Sequence, residues 1–227
     1  MAQAERNPNQ IIRKDAKNCF VESLSDAFDK SKAHFAFASY DLNRPAGNRQ
    51  TNCVHIYISI PELLELCRKL SCGELRYIWQ ERKKSVNSKP IQEWLGGTSA
   101  EKLCQYGKSR TDGKSLSRVA KLVAGQKSDF LFIADSGPGE KDAKGLIVPR
   151  FGKNPENHVS VSMTWEALAE LLLITKTHYE AWLTAWYQRN AQTVQEPRSN
   201  ANRGFGKDHS HAEPAAAFPN YSATQLF

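Results

Sequence analysis

The sequence predicts an α+β fold built from a strand-into-helix unit used twice, and three observations carry that prediction. Asn157 leads into Val159, Val161 and Met163, then Thr164, Trp165, Leu168, Glu170 and Leu171; Asn52 leads into Val54, Ile56 and Ile58, then Ser59, Ile60, Leu63, Glu65 and Leu66. The two stretches align without a gap, and in each the apolar period switches from that of a strand to that of a helix at a hydroxyl residue. Upstream, Phe35, Phe37 and Ala38 match Phe130, Phe132 and Ile133 at a smaller offset, which gives the second copy a longer connecting loop. Finally, 227 residues at 40% hydrophobic suffice for one substantial core or two small ones.

Taken in order, residues 1–17 are polar apart from Ile11 and Ile12 and read as a flexible N-terminus. Residues 19–28, with Cys19, Val21, Leu24, Ala27 and Phe28, fit a strand with a bulge or a short helix equally well. The aromatic content of 34–40 predicts a strand, and Asn43, Arg44, Pro45, Gly47 and Asn48 predict a turn over 41–50. A strand over 53–58 then enters a helix over 60–70. Ser59 and Glu62 form a capping-box signature, and Pro61 stands in the first turn, where its missing N–H is not needed.

Alternation of Leu75, Tyr77 and Trp79 with Arg76 and Ile78 predicts a strand over 75–81. Residues 90–106 carry Ile91, Trp94, Leu95, Leu103 and Tyr106 around Gly96 and Gly97. They read as a broken helical excursion, an insert near 88–107 that the first copy lacks. Residues 108–114 form a basic turn. The spacing of Leu116, Val119, Ala120 and Val123 admits a helix, but the hairpin signal Ala124-Gly125 before a strand over 130–134 favours a strand. Residues 136–145 read as a loop, after which 146–148 resume the strand. From Trp165 a stripe of Leu168, Leu172, Thr175, Tyr179, Trp182 and Trp186 runs down one long helix, a core or dimer seam in preference to a ligand box. From Ala191 onward Asn, Ser, Pro and Gly predict a disordered tail over 191–227. One globular domain over 18–190 is therefore expected, divided into repeats 18–74 and 75–190.

The net charge is +7, and residues 76–127 hold 12 Lys and Arg against 4 Asp and Glu. A cationic excess concentrated in this way points to a polyanion partner. Five cysteines without a CxxC pair argue against a disulfide framework and a zinc ribbon. Neither a secretory signal nor an apolar run of membrane-spanning length is found, so a cytoplasmic protein is expected, nucleoid-associated in a prokaryote or nuclear in a eukaryote. The six histidines form no HExxH, and the glycine-rich loop at 136–145 lacks the GK[ST] ending of a phosphate-binding loop. No catalytic, metal or cofactor site is implied, and a non-enzyme is expected.

The stretches SLSRVAKLVAG, QKSDFLFIADSGPG and NHVSVSMTWEALAELLLITKTHY resemble the repeat of the Pur-alpha family. The matching features are Phe130 to Asp135, Gly137 and Gly139, Val159 to Met163, and His178-Tyr179. The first copy resembles a diverged member, with Phe35 and Phe37 retained and Arg44-Pro45-Ala46-Gly47 in place of the glycine turn. The resemblance implies a four-stranded antiparallel sheet plus helix (ββββα) in each of two tandem repeats, packed as one globule close to the Whirly architecture. It also implies that single-stranded DNA or RNA binds on the sheets.

Single-strand binding needs cations that track phosphates and aromatic faces on which bases stack. The cations nominated are Lys108, Arg110, Lys114, Arg118 and Lys121, with Arg76, Lys83 and Lys84 as a second group; Tyr57, Tyr77 and Trp79 are the stackers. Phe35, Phe37 and Phe130 read as core before stackers. With Val159, Val161 and Met163 turned to the helix, Ser160 and Ser162 face outward, and His55 and Tyr57 take those places in the first copy. Recognition by backbone and stacking predicts low sequence specificity in replication, transfer, repair or transcription control. The alternative is an oligomeric assembly subunit without nucleic-acid binding. Homodimerisation through the Trp-rich helix or a sheet edge, and a protein partner for the C-terminal tail, complete the expectations.

Overall fold

Alternating apolar residues organise the first sheet of the computed structural model, which describes residues 7–45, 47–84 and 89–194. Residues 1–6 of the expected flexible N-terminus and 195–227 of the expected tail lie outside the described residues. Strands β1 (Gln10–Ala16), β2 (Cys19–Leu24), β3 (Lys32–Tyr40) and β4 (Gln50–Ser59) pair antiparallel in chain order. Val21, Phe37 and Val54 stand opposite one another in one row, and Phe35 and Ile56 in the next; all five are buried. The other face carries the rows Glu22, Ala36, His55 and Leu24, His34, Tyr57. β4 passes directly into α1 (Ile60–Ser71) through the expected capping box: Ser59 accepts from the Glu62 backbone N–H, and the Glu62 carboxylate accepts from that of Ser59.

After Gly73, at φ +82°, the chain forms helix α2 (Glu74–Lys84) where a strand was expected. Leu75, Tyr77 and Trp79 share a face at the strand period, but Leu75 and Trp79 also stand four apart and share a helix face without Tyr77. Leu75 is fully buried, Trp79 donates its Nε1–H to the Asp129 carbonyl at 2.6 Å, and Tyr77 is turned to solvent.

The second sheet contains β5 (Gln92–Thr98), β6 (Ser115–Ala124), β7 (Phe130–Lys141), β8 (Ile147–Pro149) and β9 (Asn157–Met163). β5, β6 and β7 pair in that order, and β7 then pairs with β9 along its first part and with β8 along its last. Helix α3 (Ala100–Gln105) bridges β5 and β6, and α4 (Trp165–Val194) follows β9. Among the described residues the fold is thus α+β, with antiparallel sheets of four and five strands and four α-helices. No described helix is long and apolar enough to cross a membrane.

Four further expectations are corrected. Residues 10–16 are not loose: they form β1, held by Ile11 at the core and by an ion pair from Lys14 to Glu170 of α4. The excursion over 90–106 is the edge strand β5 followed by the short helix α3. Residues 136–141 continue β7, because the glycines there answer close packing and not a turn. A Cβ at Gly139 would lie 2.8 Å from the Ile147 side chain, and one at Gly97 would lie 2.7 Å from it. Last, α4 runs on to Val194, into the stretch expected to be disordered.

One core joins the sheets. The Phe132 ring centroid lies 4.8 Å from that of Phe37, 6.1 Å from Phe35 and 5.8 Å from Trp94. α4 packs on α1 and across β1 and β2. Its Thr175 hydroxyl, fully buried, donates to the backbone carbonyl of Leu171 and lies 2.8 Å from the Ser23 hydroxyl. Burial against this seam pushes the Cys67 thiol up to about 11.

Candidate nucleic-acid interface

Because a strand alternates its side chains, β4 sends Cys53, His55 and Tyr57 to the face away from the core. Register places His34 of β3 directly opposite Tyr57. The Tyr57 ring stacks on His34 at 4.4 Å and 20° while 39% of the tyrosine remains exposed; His34 itself is buried. Asp26 lies 2.7 Å from His34 Nδ1, His34 Nε2 lies 2.9 Å from His55 Nδ1, and His55 Nε2 lies 3.3 Å from Cys53 Sγ. An ionised Asp26 can only accept, so His34 carries its proton on Nδ1 and offers Nε2 as acceptor. With both rings neutral, His55 Nδ1–H then donates to His34, and the Cys53 thiol donates to His55. Burial lowers the pKa of both histidines and so favours this neutral chain; Arg118 adds to the effect on each.

Arg118 comes from β6, on the inward side of the second sheet with Ala120 and Leu122. Gly96 of β5 stands directly opposite it. Its Nη1 donates to the Thr98 hydroxyl at 2.9 Å, and it makes no ion pair among the described residues. Burial lowers its pKa from the ordinary guanidinium value. A cleft opens between the edge strands, lined by His55 and Tyr57 of β4, Trp94, Gly96 and Gly97 of β5, and Arg118. Lys108 is exposed, and its charge helps to lower the pKa of His55.

Of the nominated residues, Tyr57 and Arg118 therefore converge on the cleft, and Lys108 is not among its lining residues. Lys114 is exposed in the turn before β6, outside the cleft lining. Arg110 is neutralised: it bonds bidentately to Asp112 and to Glu156, which raises its own pKa and holds the Asp112 carboxyl down at about 2. Lys121 faces the other side of its sheet and pairs with Glu93 at 3.4 Å.

The second cationic group rides on α2. Arg76 lies over Trp165 at 5.4 Å, Lys83 over Trp79 at 4.5 Å, and Lys84 pairs with Glu81 at 2.8 Å. Trp79 is an anchor, with its indole committed to Asp129, and Tyr77 is exposed beside these cations. Asp129 adjoins the end of β7 that pairs with Ala124, so α2 lies about 20 Å along β6 from Arg118 at strand spacing. Phe35, Phe37 and Phe130 are wholly buried, as their core reading required.

Comparison with protein-family models, with curated proteins and with solved structures returned no match for this chain. Among the described residues no group of three His, Cys, Asp or Glu is placed to hold a metal ion. Sequence reasoning missed Asp26, His34, Cys53, Trp94 and Gly96. The alternation Cys53, His55, Tyr57 was the available signal, but its partners become visible only with the register of β3 and the approach of β5.

Proposed function

We propose that this chain binds single-stranded nucleic acid, DNA before RNA, with low sequence specificity, in replication, transfer, repair or transcription control. The observation that carries the reading is the meeting of an exposed aromatic ring, Tyr57, with Arg118, a cation that lacks a carboxylate partner among the described residues. Stacking surface beside unneutralised positive charge is what a single strand requires, and no helix is offered to a duplex groove at this position. The order of elements supports it as well. β1 to β4 lead to α1, and β5, β6, β7 and β9 lead to α4. We read these series as tandem ββββα repeats of one Pur-alpha/Whirly-like globule, with α2, α3 and β8 as additions, in a cytoplasmic non-enzyme.

Fluorescence anisotropy with labelled oligo-dT across a salt series tests the proposal. If Lys108, Lys114 and Arg118 meet phosphates, the logarithmic salt slope is about −2. Absence of binding at low salt, or equal binding of duplex and single strand, removes the reading.

A second reading, an assembly subunit, draws on Trp186 and Tyr187, which are 41% and 59% exposed on the distal half of α4. We read this face as a homodimer seam compatible with either function. A dimer mass by light scattering combined with no oligo-dT binding favours the assembly subunit.

A further inference from the structure

We infer that the cleft between β4 and β5 is a pocket for a phosphate oxyanion, a backbone phosphate of the bound strand, held by Arg118 and the Trp94 indole N–H. The identity of the ligand rests on the single-strand reading above; the demand for an oxyanion rests on the cleft alone.

Arg118 brings a guanidinium to the cleft wall with one neutral partner, the Thr98 hydroxyl, and no carboxylate among the described residues. Partly removing such a charge from water without a counter-charge is unfavourable, and the donors that Thr98 does not take are free for an anion. Trp94 lines the same cleft. It is 6% exposed, and its Nε1–H has no acceptor among the described residues. Trp94 stands opposite Ala120 and Gly96 opposite Arg118, so the indole and the guanidinium are diagonal neighbours on one sheet face, about 7–8 Å apart at the backbone. From that backbone spacing a half-buried guanidinium and a buried indole can turn toward a single tetrahedral oxyanion.

The cleft floor is narrow, about 20 Å³, and its mouth over Gly96 is where an oxyanion has room. A Cβ added to Gly96 would meet nothing within 4 Å, so the position facing Arg118 is open where any other residue would fill it. Among the described residues no carboxylate lines the cleft, and both ring nitrogens of His55 are engaged, one with His34 and one with Cys53. A guanidinium and an indole N–H together bind a phosphate through charge-assisted bonds that a carbonyl or a neutral sugar cannot match. Tyr57 on the same rim then lies within a nucleotide's reach for stacking.

The test follows the Trp94 indole resonance in the ¹⁵N-labelled full chain, assigned among the five tryptophans by Trp94→Phe. Inorganic phosphate and oligo-dT are titrated separately. Both are expected to move this resonance downfield to saturation, oligo-dT at the lower concentration. Gly96→Val fills the open position at a β-strand backbone with no positive φ. It is expected to fold, to abolish the shift and to weaken oligo-dT binding about ten- to a hundredfold; Arg118→Met does the same. An immobile Trp94 resonance, with oligo-dT binding unchanged in Gly96→Val, overturns the pocket and leaves the single-strand reading standing. A shift with inorganic phosphate but no oligo-dT binding overturns the single-strand reading and leaves the oxyanion pocket.

Discussion

At the scale of single residues, position relative to the core decides which side chains are able to meet a ligand. Tyr57 offers its surface beside Arg118, whereas Trp79 and Phe130 are consumed by packing. Tyr57→Ala is therefore expected to weaken oligo-dT binding by about 1–3 kcal/mol, and Lys121→Ala, already paired on the other sheet face, to leave it unchanged. Anisotropy on the two variants separates them; an equal loss in both would contradict the assignment.

His34 and His55 carry a pH dependence of definite sign. Their folded-state pKa values are lowered, so the unfolded chain binds protons first as pH falls. The stability that the neutral pair contributes is fully present above the ordinary histidine value, near 6.5, and is lost as pH falls through the lowered folded values. Urea midpoints measured at pH 7.5 and 5.5 should drop at the lower pH, and His55→Gln should reduce the drop. A midpoint that rises on acidification would refute the neutral chain from Asp26 to Cys53.

At the scale of elements, α2 is tied down by a few side chains, chiefly Leu75 and the Trp79 indole. Leu75→Ala should lower folding stability by about 2–5 kcal/mol in denaturant titration, and a change below about 0.5 kcal/mol would mean that the helix is not docked. This helix also marks where the sequence misleads. Short segments carrying apolar residues at 75, 77 and 79 satisfy period 2, and the spacing of four between Leu75 and Trp79 becomes decisive only once Asp129 and Trp165 are there to receive Trp79. Ser59, Pro61 and Glu62, by contrast, announced α1 correctly because a cap is a local hydrogen-bond problem that four residues solve among themselves. Gly137 and Gly139 lie between these cases. Their glycine signal was real, but it reported the approach of Phe151 and Ile147 to a strand, which is a tertiary fact. The same division holds at the interface. Tyr57, Arg118 and Lys108 were nominated from aromatic and cationic character alone, while Trp94, Gly96 and His34 acquire meaning from registers that bring distant strands together.

At the scale of the whole molecule, the two sheets share one apolar interior, so neither half has a complete core of its own. Val21, Phe35, Phe37, Val54 and Ile56 rest against residues from β6 onward, and the last described helix, α4, returns to cover β1 and β2. For a chain made from its N-terminus this imposes an order of events. The first sheet leaves the ribosome with only α1 to cover its apolar face, which stays incompletely covered until the second sheet and α4 have followed, an interval in which collapse or capture by a chaperone competes with folding. A fragment ending at residue 164 is accordingly expected in the insoluble fraction, and its recovery as a soluble species with a cooperative melt would contradict this dependence. The contact of Thr175 with Ser23 thus closes late: the strands of the proposed binding surface are synthesised before the helix that completes the core beneath them.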